Sequence, residues 1–263
     1  MRTMILIALV GCGTNLTPQP DPEPTLASCV PNRDGEITVD ELPIALGATV
    51  AYYARSGDVT VPAFTGLDWK LDEEIKNEPV ALVGPVALKD QWYAGSFASG
   101  QFVVDAGSGL DGIYHQDDQA LWLDGTASQD ESPAGGKTLI HYATPLPVLR
   151  FPIDDGDTYA TTSALADSTI AGLPFVGTDK LEVEVTGEGR LAVPYVDFSP
   201  VMRVRTLATR TPSTGTPVVT KRTTIFMFEC FGEIARAEST TNEPSAEFTK
   251  AAYLRRFALG ETP

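Results

Sequence analysis

Apolar and polar positions alternate with period two along much of this chain, and the longest such runs lie between Phe198 and Ser239. Met202, Val204, Thr206 and Ala208 interleave with Arg203 and Arg205, the period of a strand with one buried and one wet face. In the following run Thr224, Phe226, Phe228 and Cys230 share one face, while Ile225, Met227 and Phe231 make the other largely apolar too. A strand of that kind is covered on both sides. A Pro/Thr/Ser/Gly loop joins the two runs, so together they read as a hairpin. Leu181, Val183 and Val185 alternate cleanly with Glu182, Glu184 and Thr186, and Leu191–Val193 returns after a turn at Gly187–Gly189.

Shorter strand-like runs fill the rest of the body: Ala48–Arg55, Val80–Leu88, Gln101–Asp105, Gly112–His115, Ala120–Leu123, Thr138–Tyr142, Val148–Phe151 and Thr158–Ala164. Gly and Asp punctuate them, as at Gly107-Ser108-Gly109, Asp124-Gly125 and Gly135-Gly136. Ala251, Tyr253, Phe257 and Leu259 fit a final strand, with a short helix as the alternative. The fold expected is mainly β, an antiparallel meander forming an open or half barrel or a sandwich, with little helix. It occupies residues 44–263, with a subdivision near residue 145 as an option.

Composition narrows the partners. The 263 residues carry a formal charge of −16, and such a surface repels both a phosphate backbone and an anionic membrane. No nucleic-acid partner is expected. The 23 Gly and 20 Pro match a fold built from many turns and short strands.

The N-terminus has a separate organisation. Residues 1–11 pair Arg2 with an apolar run from Met4 to Val10, the layout of a secretory signal and too short for a membrane-spanning helix. Residues 12–28 form a linker in which Pro18, Pro20, Pro22 and Pro24 alternate, with almost nothing to bury. Leu9-Val10-Gly11-Cys12 resembles the lipobox of bacterial lipoproteins. The resemblance implies lipidation of Cys12, loss of residues 1–11 and a membrane partner through the anchor. Gly13, where an inner-membrane retention signal has Asp, points to the outer membrane of the cell envelope. The alternative is a cysteine buried in an N-terminal strand.

With Cys12 assigned to lipidation, Cys29 and Cys230 remain in a compartment that permits disulfides. We expect them to pair and to staple the end of the linker onto the second run of the hairpin; two free buried thiols are the alternative.

Residues 29–43 contain VPNRDGEITVDEL, which resembles the calcium loop of an EF-hand. The resemblance implies Asn32, Asp34, Glu36 (through its carbonyl), Thr38 and Glu41 as ligands, because a hard cation needs several oxygens on one tight loop. Val30 stands where that family has Asp, so the site would be weak. An Asx turn is the other reading, with no cofactor.

Motifs for catalysis are missing. His115 and His141 have no HxxH spacing, there is no G-x-S-x-G elbow, P-loop or dinucleotide fingerprint, and each histidine reads as a satisfied sheet residue. Asp117 with Asp118, and Asp154, Asp155 and Asp157, read as solvated turns rather than the facing carboxylates of a glycoside hydrolase. Trp92, Tyr93, Phe97, Trp122 and Tyr142 line a ligand cavity or fill a core, the core being preferred. PLPVLRFPIDDGDTY, GEGRLAVP, VMRVRT and FECFGEIAR resemble turn-and-strand patterns of secreted and lipid-anchored proteins of Gram-negative bacteria; the resemblance covers residues 145 to 240 and implies no activity. The function expected is a non-enzymatic binding or interaction module of the cell envelope with an unknown protein or hydrophobic partner. A carrier of a lipid in a β half-barrel and a hydrolase of cell-surface polymers are the alternatives.

Overall fold

The computed structural model of the protein describes residues 29–259. The expected signal, the linker and Cys12 lie outside the described residues. The first described stretch contributes β1 (Glu36–Ile37) and a 3-10 turn at Val39–Glu41. The body begins with β2 (Val50–Thr60), followed by the short strands β3 (Asp68–Lys70), β4 (Val80–Val83) and β5 (Val86–Ala87). Two 3-10 turns, Leu88–Asp90 and Ala94–Ser96, lead to β6 (Phe102–Gly107), β7 (Leu110–Gln116), β8 (Ala120–Ser128) and β9 (Leu139–Arg150). After β10 (Ile153–Asp154) come β11 (Thr158–Ile170), β12 (Leu173–Val193) and β13 (Val196–Pro212), and then β14 (Val219–Phe228), β15 (Gly232–Ser239) and β16 (Lys250–Phe257).

The mainly β, antiparallel fold expected from the alternation is the one observed. A 14-stranded sheet runs in the order β4-β2-β16-β15-β14-β13-β12-β11-β9-β8-β7-β6-β5, with β3 beside β12 off this path. β1 and β10 form a separate two-stranded sheet. β9 passes through residue 145, and the sheet continues on both sides of it.

The ladder does not close into a hydrogen-bonded barrel, yet its two end strands, β4 and β5, are joined by Gly84-Pro85 alone. Three peptide units span about 10 Å at most, so the sheet must curl until its ends meet. Residues 80–87, read from the sequence as one strand, are one extended segment that pairs with β2 in its first half and with β6 in its second. Gly84 sits where a Cβ would lie 2.0 Å from the Ala48 carbonyl oxygen, and the Pro85 carbonyl accepts from Gly47 N–H. A side chain at this joint would strike the backbone of Ala48 and Thr49.

Curling gives the long strands an inner and an outer face. Leu181, Val183, Val185, Met202, Val204 and Met227 point inward to one cluster. Phe226, Phe228, Val201 and Leu191 point outward, but residues 61–71 cover them with Val61, Phe64, Trp69 and Leu71. β14 is thus covered on both sides, as its composition requires. Arg203, expected on a wet face, is instead buried: its guanidinium donates to the Phe64 carbonyl and to Thr186 Oγ1, and it lies over the Trp69 ring. The cover makes that face dry. Buried Arg256 holds the other side of the cover through the carbonyls of Leu71 and Glu73 and the carboxylate of Glu78.

Residues 29–47 cross one end of the curled sheet. Cys29 is bonded to Cys230, β1 pairs with β10, Gln116 Nε2 donates to the Leu42 carbonyl, and Gly47 reaches Pro85. Ile37 and Leu42 enter the inner cluster from this end. The pairing of the two cysteines is therefore seen, with one change. Cys230 is not in a strand but in the tight turn between β14 and β15, at φ +66°. Gly187–Gly189 likewise does not separate two strands. It forms a bulge inside the 21-residue β12, where Gly189 lets Leu67 O and Trp69 approach and β3 holds Arg190–Ala192 extended.

The disulfide joins residues 201 apart and ties this end piece to the β14–β15 turn. Reduction, or Cys230→Ser, should lower stability by about 2–5 kcal/mol. Urea unfolding with and without reductant measures it, and an unchanged midpoint would show that the end piece is held by its packing alone.

Candidate functional site

One break in the hydrogen-bonded ladder lies along β2. Its 11 residues pair with β16 on one side, but on the other β4 covers only Val50–Tyr53. Ala54 N–H donates to the Pro79 carbonyl, and beyond it no backbone hydrogen bond reaches this edge among the described residues. The chain arriving at β4 is drawn outward by Arg256 and cannot cover the edge. A groove of about 700 Å³ opens here, with Arg55, Ser56, Asp58 and Thr60 along β2 and Glu73 and Pro79 opposite. Arg55 is held by Glu78, at 3.0 Å, so Asp58 and Glu73 give the groove an acidic balance. Such an edge presents N–H and C=O groups at strand spacing, which an extended chain can complete.

A second groove, about 470 Å³, crosses the outer face of β11–β14. Arg205 bridges Glu184 and Glu247 there, and Arg222 binds the carbonyls of Glu243 and Pro244, which fixes the β15–β16 connection as a wall. Its cations are spent on these internal contacts.

Inside the curled sheet an ionic cluster lies beside the apolar one. Arg236 and Arg255 are directly opposed across β15 and β16, and Glu233 accepts from both. Tyr52 OH donates to the Glu233 carbonyl at 2.6 Å, while Arg255 reaches the Asp105 carbonyl of β6. Burial alone would raise the Glu233 carboxyl, but Arg236 and Arg255 outweigh it and hold the pKa at about 2. Burial also raises the Tyr52 hydroxyl, further so beside Glu233. The cluster bonds β2, β15 and β16 to the opposite wall.

His115 is satisfied, as expected of a sheet residue: its Nδ1 is 2.6 Å from the buried Asp124 carboxylate, and its ring stacks on Trp122. Asp124 sits at a bulge of β8, and its other oxygen accepts from Ser99. Because Ser99 and His115 occupy opposite oxygens of one carboxylate, histidine is not set to deprotonate the serine. His141 packs against Phe97. Tyr93 and Phe97 lie in a core cluster with Val103 and Ile113, and Tyr142 in the inner one, where its hydroxyl meets Asp179; these aromatics fill core. Trp92 packs on the same cluster as Tyr93 and Phe97. Asp117 caps its own turn through Gln119 and Ala120, and Asp155 accepts from Gly187 N–H.

In the EF-hand-like loop, Asp34 N–H donates to Asn32 Oδ1 and Glu36 N–H to Asp34 Oδ1, a pair of Asx turns. Glu41 is buried, and its carboxylate accepts from the N–H and hydroxyl of Thr38. No protein-family model, curated protein or solved structure matches this chain. The edge of β2 escaped sequence reading because openness is a property of β4's length, not of any residue in β2.

Glu233 generates a pH prediction. With its folded pKa near 2 against an ordinary 4.5, its contribution is complete above pH 4.5 and disappears as pH falls toward 2. Acid should therefore remove about 3 kcal/mol over that range. Glu233→Gln should flatten this dependence and lower stability at pH 7 by about 3 kcal/mol, since buried Arg255 loses its carboxylate and Arg236 keeps only Glu238, at 3.7 Å. Denaturant midpoints measured from pH 2 to 7 read both effects.

Proposed function

We propose that this protein is a non-enzymatic interaction module of the cell envelope, anchored through lipidated Cys12, that receives an extended polypeptide segment along the open edge of β2. The observation that carries the reading is the run from Arg55 to Thr60, unpaired on this edge, beside a groove of about 700 Å³. Main-chain hydrogen bonds would supply affinity there, and Asp58 and Glu73 would favour basic side chains in the added strand. The inner face offers core and ion pairs where a lipid carrier would need space, which places the carrier second. The hydrolase ranks third, because the acidic turns cap their own backbone.

Three measurements bear on this. Decapeptides selected from a random library against the full chain should protect the amides of residues 55–60 from hydrogen exchange, and should lose binding when N-methylated at alternate positions. Protection confined to the β11–β14 groove would refute the edge. For the anchor, intact mass should show a mature N-terminus at Cys12 carrying acyl chains, and an unmodified Met1 would refute it.

Calcium at Asn32, Asp34, Glu36, Thr38 and Glu41 belongs to the same proposal as a weak site. Filling it requires Glu41 to exchange its Thr38 contacts for the cation. Titration calorimetry should show millimolar binding that Glu41→Ala abolishes; no heat in the parent protein would leave the loop as Asx turns.

A further inference from the structure

Both ends of the curled sheet expose apolar side chains, but of different kinds. At one end, where β12, β14 and β16 finish, Tyr195 is 65% exposed, Phe231 54% and Leu259 49%. Val30, 77% exposed, stands at the same end because its neighbour Cys29 is bonded to Cys230, the residue before Phe231. Phe231 is not a stray side chain. Its ring packs 6.0 Å from Phe198 and 5.7 Å from Phe228, and Phe198 in turn meets Phe257, so an aromatic cluster rises from the core to the surface at this point. At the opposite end the exposed residues are aliphatic, Leu173 and Val176 on the β11–β12 hairpin and Val218 and Val219 on the β13–β14 hairpin.

What distinguishes the aromatic end is the chain that leaves it. The described residues begin at Cys29, and everything before it, including Cys12, must depart from the disulfide beside Phe231. We propose that this end is a membrane-docking surface, with Val30, Tyr195 and Phe231 entering the interfacial layer of the bilayer that holds the anchor. The proposal rests on the lipid-anchor reading above. Residues 13–28 can reach roughly 50 Å when extended at about 3.3 Å each, so the tether permits contact without enforcing it. Tyr favours the interfacial layer, where its apolar ring and polar tip are both accommodated, and Phe and Val supply apolar surface to the headgroup–acyl boundary. Docking in this orientation leaves the β2 edge and its groove on the flank of the body, open to the surrounding compartment.

The test uses the acylated full chain in phosphatidylcholine vesicles whose acyl chains are brominated near the interface. Phe231→Trp should show added fluorescence that is blue-shifted and quenched, whereas Leu173→Trp should add fluorescence that the bromines leave untouched. Quenching at 173 instead of 231 would assign docking to the other end, and quenching at neither would show a body held off the bilayer; each overturns the proposal. Failure of the anchor reading is seen independently as a Cys12 without acyl mass. In that event flotation of the unacylated chain with phosphatidylcholine vesicles decides the surface on its own. Retention that is lost in the Phe231→Ser, Tyr195→Ser double variant supports docking, and no flotation, or flotation indifferent to the two changes, refutes it.

Discussion

The connection at Gly84-Pro85 is the constraint on which the architecture depends. Hydrogen bonding alone would allow the long ladder to remain an open, twisted sheet, since open sheets of many strands either curl or flatten. Here β4 and β5 stand at opposite ends of the ladder and are separated by two residues. Covalent geometry therefore brings the ends together, and side-chain packing has only to fill the space that results. The space is shared between an apolar cluster below β11–β14 and the Glu233, Arg236 and Arg255 group below β15 and β16. Holding two opposed guanidinium groups here is costly, and Glu233 between them, with Glu238 beside Arg236, offsets it.

The same constraint explains the break on β2. A closing segment of eight residues, Val80 to Ala87, serves two partners, and what it gives to β6 it cannot give to β2. The chain ahead of β4 could have extended the pairing, but Arg256 takes the carbonyls of Leu71 and Glu73 to hold the cover, Trp69 included, over Phe226. The open edge is thus the consequence of burying one aromatic cluster well. Natural sheets blunt such edges with charge and irregularity, and β2 carries Gly57 and Asp58 there. Those residues discourage indiscriminate pairing between copies while leaving the main chain accessible.

Much of the strand content was legible because alternation is a local property. Leu181, Val183 and Val185 faced inward as their spacing required, and Ile225 and Met227 correctly marked a strand covered on both faces. The cysteine pair was legible by elimination once Cys12 was assigned elsewhere. Long-range features were not legible. Nothing near Arg203 indicates that residues 61–71 return to cover it, and its alternation with Met202 is equally consistent with a wet face. Gly187 and Gly189 look like a turn in one dimension; only the neighbouring Leu67 and Trp69, more than a hundred residues earlier, turn them into a bulge. The pairing of β2 with β16 and the curl that follows are likewise set by packing across the whole chain.

Function divides along the same line. The lipobox-like tetrapeptide and the EF-hand-like loop are local signals, and they speak to where the protein is held and what ion it could take. The edge of β2 and the aromatic end are collective, and they speak to what the body could meet. The two sets meet in one respect: the proposed tether would join the body at Cys29, and the fold places Phe231 beside that residue through Cys230. Had Cys230 stood in the middle of a strand, the tether would have left from the wall of the sheet and the aromatic end would have had no relation to it. Its position in the β14–β15 turn, forced by a left-handed backbone at φ +66°, is what aligns the attachment point with the exposed rings. In the docking proposed above, the disulfide would orient the body as well as stabilise it.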